Sequence, residues 1–443
     1  MRIMRKLFIF CIAATWLMAG LPALSQSRPD SVLHDASLAG CVQYALAHQP
    51  ILQQSLLDES ITEKQIQTRL ADWYPQIGLN YNLQHNFELP AAYFTGAYIR
   101  SGTFNTSNLG MSFTQNIFNK DVLLASKTAD DIRKQSKQNT SFNKIDIAVS
   151  VSKAFYDVLL TKQQVSVLDE DISRLQKSLQ DAISQYQSGV ADKTDYKRAT
   201  IALNNAKAQR KQSIDLIIAK TAYLKQLMGM PNDMDLKLKY DTSSIEKDAM
   251  IDTLVQVQYE NRIEFQLLQT QQKLQQATLT YYKNSYLPTV SAFGAYNLGY
   301  LNNDLAKTYS QTFSNSNIGI MLTMPIFQGN KRILQVRQAE FQSRRIVWDI
   351  AALKSKVNTQ YAQAMSLYKG NLAYYLSLKE NVVLADDVYK TIGLQYKSGV
   401  KTYLDVIIAE SDLRTAQINF YDALFQLVQS KFDVQKAMGS IQY

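Results

Sequence analysis

Histidine, cysteine and paired carboxylates are the side chains best suited to chemistry, and this sequence spaces them for none. Its three histidines (His34, His48, His85) form no His-x-x-x-His pair, and there is no Cys-x-x-Cys, Gly-x-Ser-x-Gly or phosphate loop. His34 and His48 flank an expected first short helix and His85 falls near a strand end, so polar surface is the role expected of each. The acids lie dispersed along helix-like stretches. The expectation is no catalytic residue, no metal, no cofactor and no enzyme. What recurs instead is a turn. Gln185-Tyr186-Gln187-Ser188-Gly189-Val190 returns as Gln395-Tyr396-Lys397-Ser398-Gly399-Val400, 210 residues later. Gly189 and Gly399 suit helix C-caps. Thr194 or Asp195 could cap the helix that follows the first, and Asp405 could favour the first turn of its counterpart through the helix dipole.

The turns belong to a longer echo. Asn108-Leu109-Gly110 to Ile117-Phe118 returns at Asn317-Ile318-Gly319 to Ile326-Phe327, Met228-Gly229 at Met438-Gly439, and Tyr74-Pro75 at Leu287-Pro288. Several anchors in one order at nearly one offset indicate a duplicated structural half. Residues 26–229 are read as the first repeat, with a β-hairpin at about 76–117 and a tip near 186–195. Residues 251–443 are the second, with a hairpin at about 289–325 and a tip near 396–405. Between them 230–250, rich in Pro, Asp and Ser, reads as a linker belt without a helical stripe.

Residues 1–25 read as an export signal: Arg2, Arg5 and Lys6 precede an apolar core, and Ala23-Leu24-Ser25 offers a cleavage site. Cys11 lies within it, leaving Cys41 without a disulfide partner. Removing three basic residues lowers the net charge from +9 to +6. Lys and Arg alternate with Asp and Glu on helix faces, which argues against nucleic acid. No later stretch reaches 18 apolar residues, so any membrane crossing must be a β-barrel.

Most of the chain has helical composition, with only 16 Gly and 8 Pro. Helices of some 66 residues are expected at about 120–185 and 331–395, returning after Ser-Gly-Val as helices of roughly 35 to 40; 3-4 spacing such as Leu168, Leu175, Ala182 gives them coiled-coil packing. Four windows alternate instead. Ile77, Leu79, Tyr81 and Leu83 share one face, against Gln76, Asn80, Asn82 and Gln84. The windows at 108–114, 296–300 and 317–323 repeat the pattern with a nearly uncharged polar face. Lipid outside and water inside a barrel demand this alternation. Pro75 and Pro288 should stop the preceding helices at the helix–strand junctions, and Pro325 should act likewise at the end of the second hairpin, where the first has Asn116. Segments 88–106 and 301–314 read as surface loops. Four strands cannot close a barrel, since the smallest bacterial barrels have about eight, so several chains must pool them.

Signal, duplicated halves, Pro-bounded β-hairpins and helical hairpins breaking at Tyr-x-x-Gly resemble the TolC family of outer-membrane efflux proteins over essentially the whole mature chain. The most specific pieces are Pro325-Ile326-Phe327-Gln328-Gly329 and the run from Gln395 through Leu404-Asp405-Val406 to Ala409-Glu410. The resemblance implies a mainly α fold with a small β part: a homotrimeric α-helical barrel continued by a 12-stranded transmembrane β-barrel, four strands per protomer. It implies a passive outer-membrane exit duct, most of it in the Gram-negative periplasm. Such a duct docks on a periplasmic adaptor (membrane fusion) protein and an inner-membrane pump of the RND, ABC or MFS class, for efflux or type I secretion. By position, Gly189, Val190, Gly399 and Val400 would be adaptor-contacting tips. Asp195 and Asp405 would ring the constriction, with Tyr396 and Lys401 holding it closed. Lys401 stands where arginine would clamp bidentately, and Ile408 where some members have a further carboxylate. The alternative is a periplasmic structural or adaptor coiled-coil protein without a barrel; an ordinary porin would need more strands per chain.

Overall fold

The computed structural model describes residues 36–239, 242–253, 255 and 257–441. The expected signal, with Cys11, and His34 lie outside the described residues. The first half runs α1 (Leu38–His48), α2 (Pro50–Leu70), β1 (Gln76–His85), β2 (Ala91–Phe94), β3 (Ala97–Arg100), β4 (Asn105–Phe118), α3 (Lys120–Gln187) and α4 (Lys193–Met228). After α5 (Thr242–Asp248) the pattern repeats: α6 (Ile263–Lys283), β5 (Thr289–Asn302), β6 (Thr312–Thr323), α7 (Lys331–Lys397) and α8 (Tyr403–Met438).

The strand windows form one antiparallel sheet in the order β1-β4-β5-β6. Directly paired residues share a face. Leu79, Met111 and Tyr296 form one row and Tyr81, Leu109 and Leu298 the next, so the apolar face is continuous across three strands. The opposite face sets Asn80, Gly110, Asn297 and Asn315 in line, with Asn297 Nδ2 donating to Asn315 Oδ1 at 2.9 Å. β1 and β6 are the two edges of this sheet and have no outer neighbour among the described residues.

The segment 88–106, expected to be a loop, contains a second sheet. β2 pairs with β3 around Thr95-Gly96, both at positive φ, and the Tyr93 and Tyr98 rings meet at 5.1 Å. Two residues at positive φ turn the chain with the hand that twisted strands require. In the segment 301–314 a single 3-10 helix, Leu305–Ser310, lies over the sheet and brings Tyr309 Oη 2.7 Å from Tyr81 Oη.

The two junctions out of the sheet differ. Asn116 has an N–H and a side-chain amide; it pairs with Ser291 and donates to the Asp72 carbonyl at 2.8 Å, so β4 runs on through a bulge to Phe118. Pro325 has no N–H to offer, and β6 stops at Thr323.

α3 and α7 are 68 and 67 residues long, about 100 Å at 1.5 Å per residue, and α4 and α8 return for 36 residues each. Each pair is an antiparallel hairpin, and α3 also packs against α8, joining the halves. The main core lies where all four meet α1 and α5, around Leu159, Leu224, Tyr368, Tyr375 and Leu427. α5 stands where no helical stripe was legible. Seven residues are too few for a period, yet Ile245 is buried, as is Ala249 just beyond the helix, whose carbonyl accepts from Tyr368 Oη at 3.1 Å.

The Met-Gly repeat closes both return helices. Gly229 and Gly439 end α4 and α8 in the left-handed conformation. A Cβ on Gly229 would lie 2.6 Å from the His48 carbonyl oxygen, where α1 hands over to α2.

Candidate gate at the hairpin tips

The two tips are built alike. The N–H of Gly189 donates to Tyr186 O and that of Val190 to Gln185 O; Gly399 and Val400 repeat this on Tyr396 and Gln395. These are Schellman closures, in which the left-handed residue (φ 73° and 74°) is glycine because a Cβ is disfavoured there. Val190 and Val400 are left 79% and 72% exposed at the apices.

The caps break the symmetry. α4 is capped by Asp192, not by Thr194 or Asp195. Its Oδ1 accepts from Thr194 N at 2.7 Å and Thr194 Oγ1 at 2.8 Å, which lowers the Asp192 pKa. At the second tip Thr402 is the cap and Asp405 completes a capping box. Asp405 Oδ2 accepts from Thr402 N at 2.9 Å and Thr402 Oγ1 at 2.8 Å. Those hydrogen bonds, the backbone one first, and then nearby Lys401 hold the Asp405 carboxyl below the ordinary range. Asp195 has no capping duty and lies half-buried in the first turn of α4.

Tyr396 joins the hairpins. Its Oη donates to Gln185 Oε1 at 2.7 Å, linking the end of α7 to the end of α3, and its ring lies 5.8 Å from that of Tyr403. Burial first, then the charges of Asp195 and Asp181, raise the Tyr396 pKa. Lys401 forms no ion pair with a described residue. A cleft of about 910 Å³ runs back from Tyr396 between α3 and α7, flanked by Lys177, Lys390 and Lys397. Pro75 and Pro288 stand just ahead of β1 and β5, and Pro325 just beyond β6. They belong to the sheet end of the fold and do not join the tip.

Sequence reading missed a charged cluster farther up the hairpins. Asp171 of α3 is fully buried; Arg414 Nη1 of α8 lies 3.1 Å from its Oδ2, and Arg174 Nη2 lies 3.5 Å from its Oδ1. Glu410 of α8, 1% exposed, has Oε1 3.5 Å from Arg174 Nε, yet neither of its oxygens is hydrogen-bonded. Burial, then the neighbouring Asp171, pushes the Glu410 pKa up to about 7 against the opposing pull of Arg174 and Arg414. The signal was present. Asp171 falls between Leu168 and Leu175, and Glu410 between Val406 and Leu413, each a charge on an apolar stripe.

Of the three histidines, His48 stacks on Tyr44 and His85 bonds to Asn105 Oδ1 at 2.7 Å. No group of three or more His, Cys, Asp or Glu side chains is arranged to hold a metal ion among the described residues, and no described helix is long and apolar enough to cross a membrane.

Helices about 100 Å long, each paired with a shorter return helix and running from a two-faced sheet to a glycine turn, define an envelope channel. The chain belongs to the outer membrane efflux protein family, which it matches over residues 41–230 and 254–440, one stretch in each half. It is similar to the outer membrane protein TolC of Escherichia coli (strain K12), 19% identical over 439 residues, 96% of this chain and 86% of that protein. TolC of Vibrio cholerae serotype O1 is 18% identical over 337 residues, 75% of this chain and 76% of that protein. In fold it matches the outer membrane protein VceC of Vibrio cholerae with a TM-score of 0.71 at 15% identity, covering 91% of this chain and 96% of that one. The protein is an outer-membrane exit duct, not an enzyme.

Proposed function

We propose that three copies of this chain pool their sheets into one 12-stranded barrel and their helices into one periplasmic tunnel, through which a partner pump drives its cargo. The observation that carries the reading is the sheet: four strands, one apolar face, one uncharged polar face, and both edges unpaired. Closure by further copies satisfies those edges in lipid, where open edges are not tolerated. The tips would dock a periplasmic adaptor through Gly189, Val190, Gly399 and Val400, and the adaptor would connect to an inner-membrane pump. Asp195 and Asp405, repeated threefold, would ring the narrow end, held closed by Tyr396 and Lys401. Fractionation with chemical cross-linking tests it. A detergent-dependent, outer-membrane trimer is expected; recovery as a soluble periplasmic protein would favour the adaptor alternative and sink the duct.

A further inference from the structure

The barrel and the tips leave the buried charged cluster between the hairpins without a role. Of the four ion pairs among the described residues that cross the seam between α3 and α8, two lie in this cluster, Arg414–Asp171 at 3.1 Å and Arg174–Glu410 at 3.5 Å; Lys153–Asp433 and Lys436–Asp146 lie farther along it. Arg174 also stands 3.9 Å from Glu170 and 3.5 Å from Asp171, so one guanidinium is shared among three carboxylates. From α7, the Tyr389 ring lies 5.8 Å from the Arg174 guanidinium. A buried carboxylate with no hydrogen bond and a second carboxylate beside it is costly to keep ionised.

We propose that Glu410 is a proton-operated latch: protonated, it lets α3 and α8 stay packed, and ionised, it loosens their seam so that the tips can part. This regulation rests on reading the tips as the gated end of a duct. The sign follows from linkage. In the packed state the Glu410 pKa is raised from 4.5 to about 7. In a parted state the carboxyl meets water and returns to its ordinary value. The packed state therefore binds the proton more tightly. Packing is strongest below the ordinary carboxylate range and weakens as pH rises toward about 7, by roughly tenfold per unit at most.

The groups facing Glu410 are Asp171 and Arg174 from α3, Tyr389 from α7, and Arg414 and Tyr403 from α8 itself. Both arginines stay charged throughout, and burial pushes both tyrosines up, away from neutrality. The described histidines, His48 and His85, lie on α1 and β1. A transition near pH 7 at this seam thus belongs to Glu410.

Amide hydrogen exchange of the detergent-purified full chain, corrected for intrinsic rates, tests this between pH 5.5 and 8.5. Protection over 168–175 and 407–414 should fall as pH rises through about 7. Glu410→Gln should hold the low-pH protection throughout, and Asp171→Asn, which removes the like charge, should move the midpoint down. Planar-bilayer conductance should rise through the same midpoint. No step in the wild type, an unchanged step in Glu410→Gln, or an unmoved midpoint in Asp171→Asn would each overturn the latch; the last decides it if Glu410→Gln does not fold. Protection that steps in a chain forming no channel would support the latch and refute the duct.

Discussion

Asp405 has a structural duty and keeps its charge while performing it. Two hydrogen bonds from Thr402 fix the carboxylate at the start of α8 and depress its pKa. A depressed carboxyl contributes to stability above its ordinary pKa, and that contribution is lost as pH falls through the depressed one. The charge Asp405 would present to the tunnel should therefore persist into the acid range. Asp405→Ala or Asp195→Ala should each reduce block of single-channel current by multivalent cations in planar bilayers. Block unchanged in both would remove the acidic ring. Tyr396→Phe deletes the hydroxyl that donates to Gln185 and nothing else of the ring, so open-state conductance should become more frequent; an unaltered gating record would make Tyr396 a packing residue only. The Tyr-x-x-Gly turns were legible because backbone geometry demands glycine. The identity of the caps was not, because Asp192, Thr194 and Asp195 can all accept from the same orphan N–H groups, and only the local geometry chooses.

Among elements, the helix ends show how two glycines of nearly equal conformation carry different loads. Gly189 (φ 73°) has open space around it, so Gly189→Ala meets left-handed strain alone, about 1 kcal/mol. At Gly229 (φ 69°) an added Cβ would lie 2.6 Å from the His48 carbonyl oxygen and 2.9 Å from Gln49 Cα, so Gly229→Ala must also push backbone apart and should cost more than about 2 kcal/mol. Urea unfolding of the two variants in detergent compares them, and equal losses would mean the close approach at α1–α2 bears no load. The long helices and four strands were readable from period and proline. The β2–β3 hairpin was not: four-residue strands give period-two alternation too little length to register, and Thr95-Gly96 is a weaker turn signal than Asn-Gly. α5 escaped for the same reason of length.

At the scale of the whole molecule, the isolated chain leaves apolar surface in the wrong place for a monomer. On α7, Leu334, Phe341 and Trp348 recur every seven residues and are 60, 65 and 75% exposed. A seven-residue apolar repeat on one helix face is a coiled-coil seam seeking a partner helix. The open outer edges of β1 and β6 make the same demand at the sheet end. Both are met at once if neighbouring copies supply a helix to the seam and a strand to each edge. Trp348→Asp puts a charge in that seam without touching the buried core, so the protomer should keep its helix content by circular dichroism. The proposed trimers should then dissociate toward monomers in light scattering at low micromolar concentration. A variant that stays trimeric with unchanged thermal resistance would show that this face of α7 looks outward to solvent, and the arrangement of protomers would have to be turned about the tunnel axis.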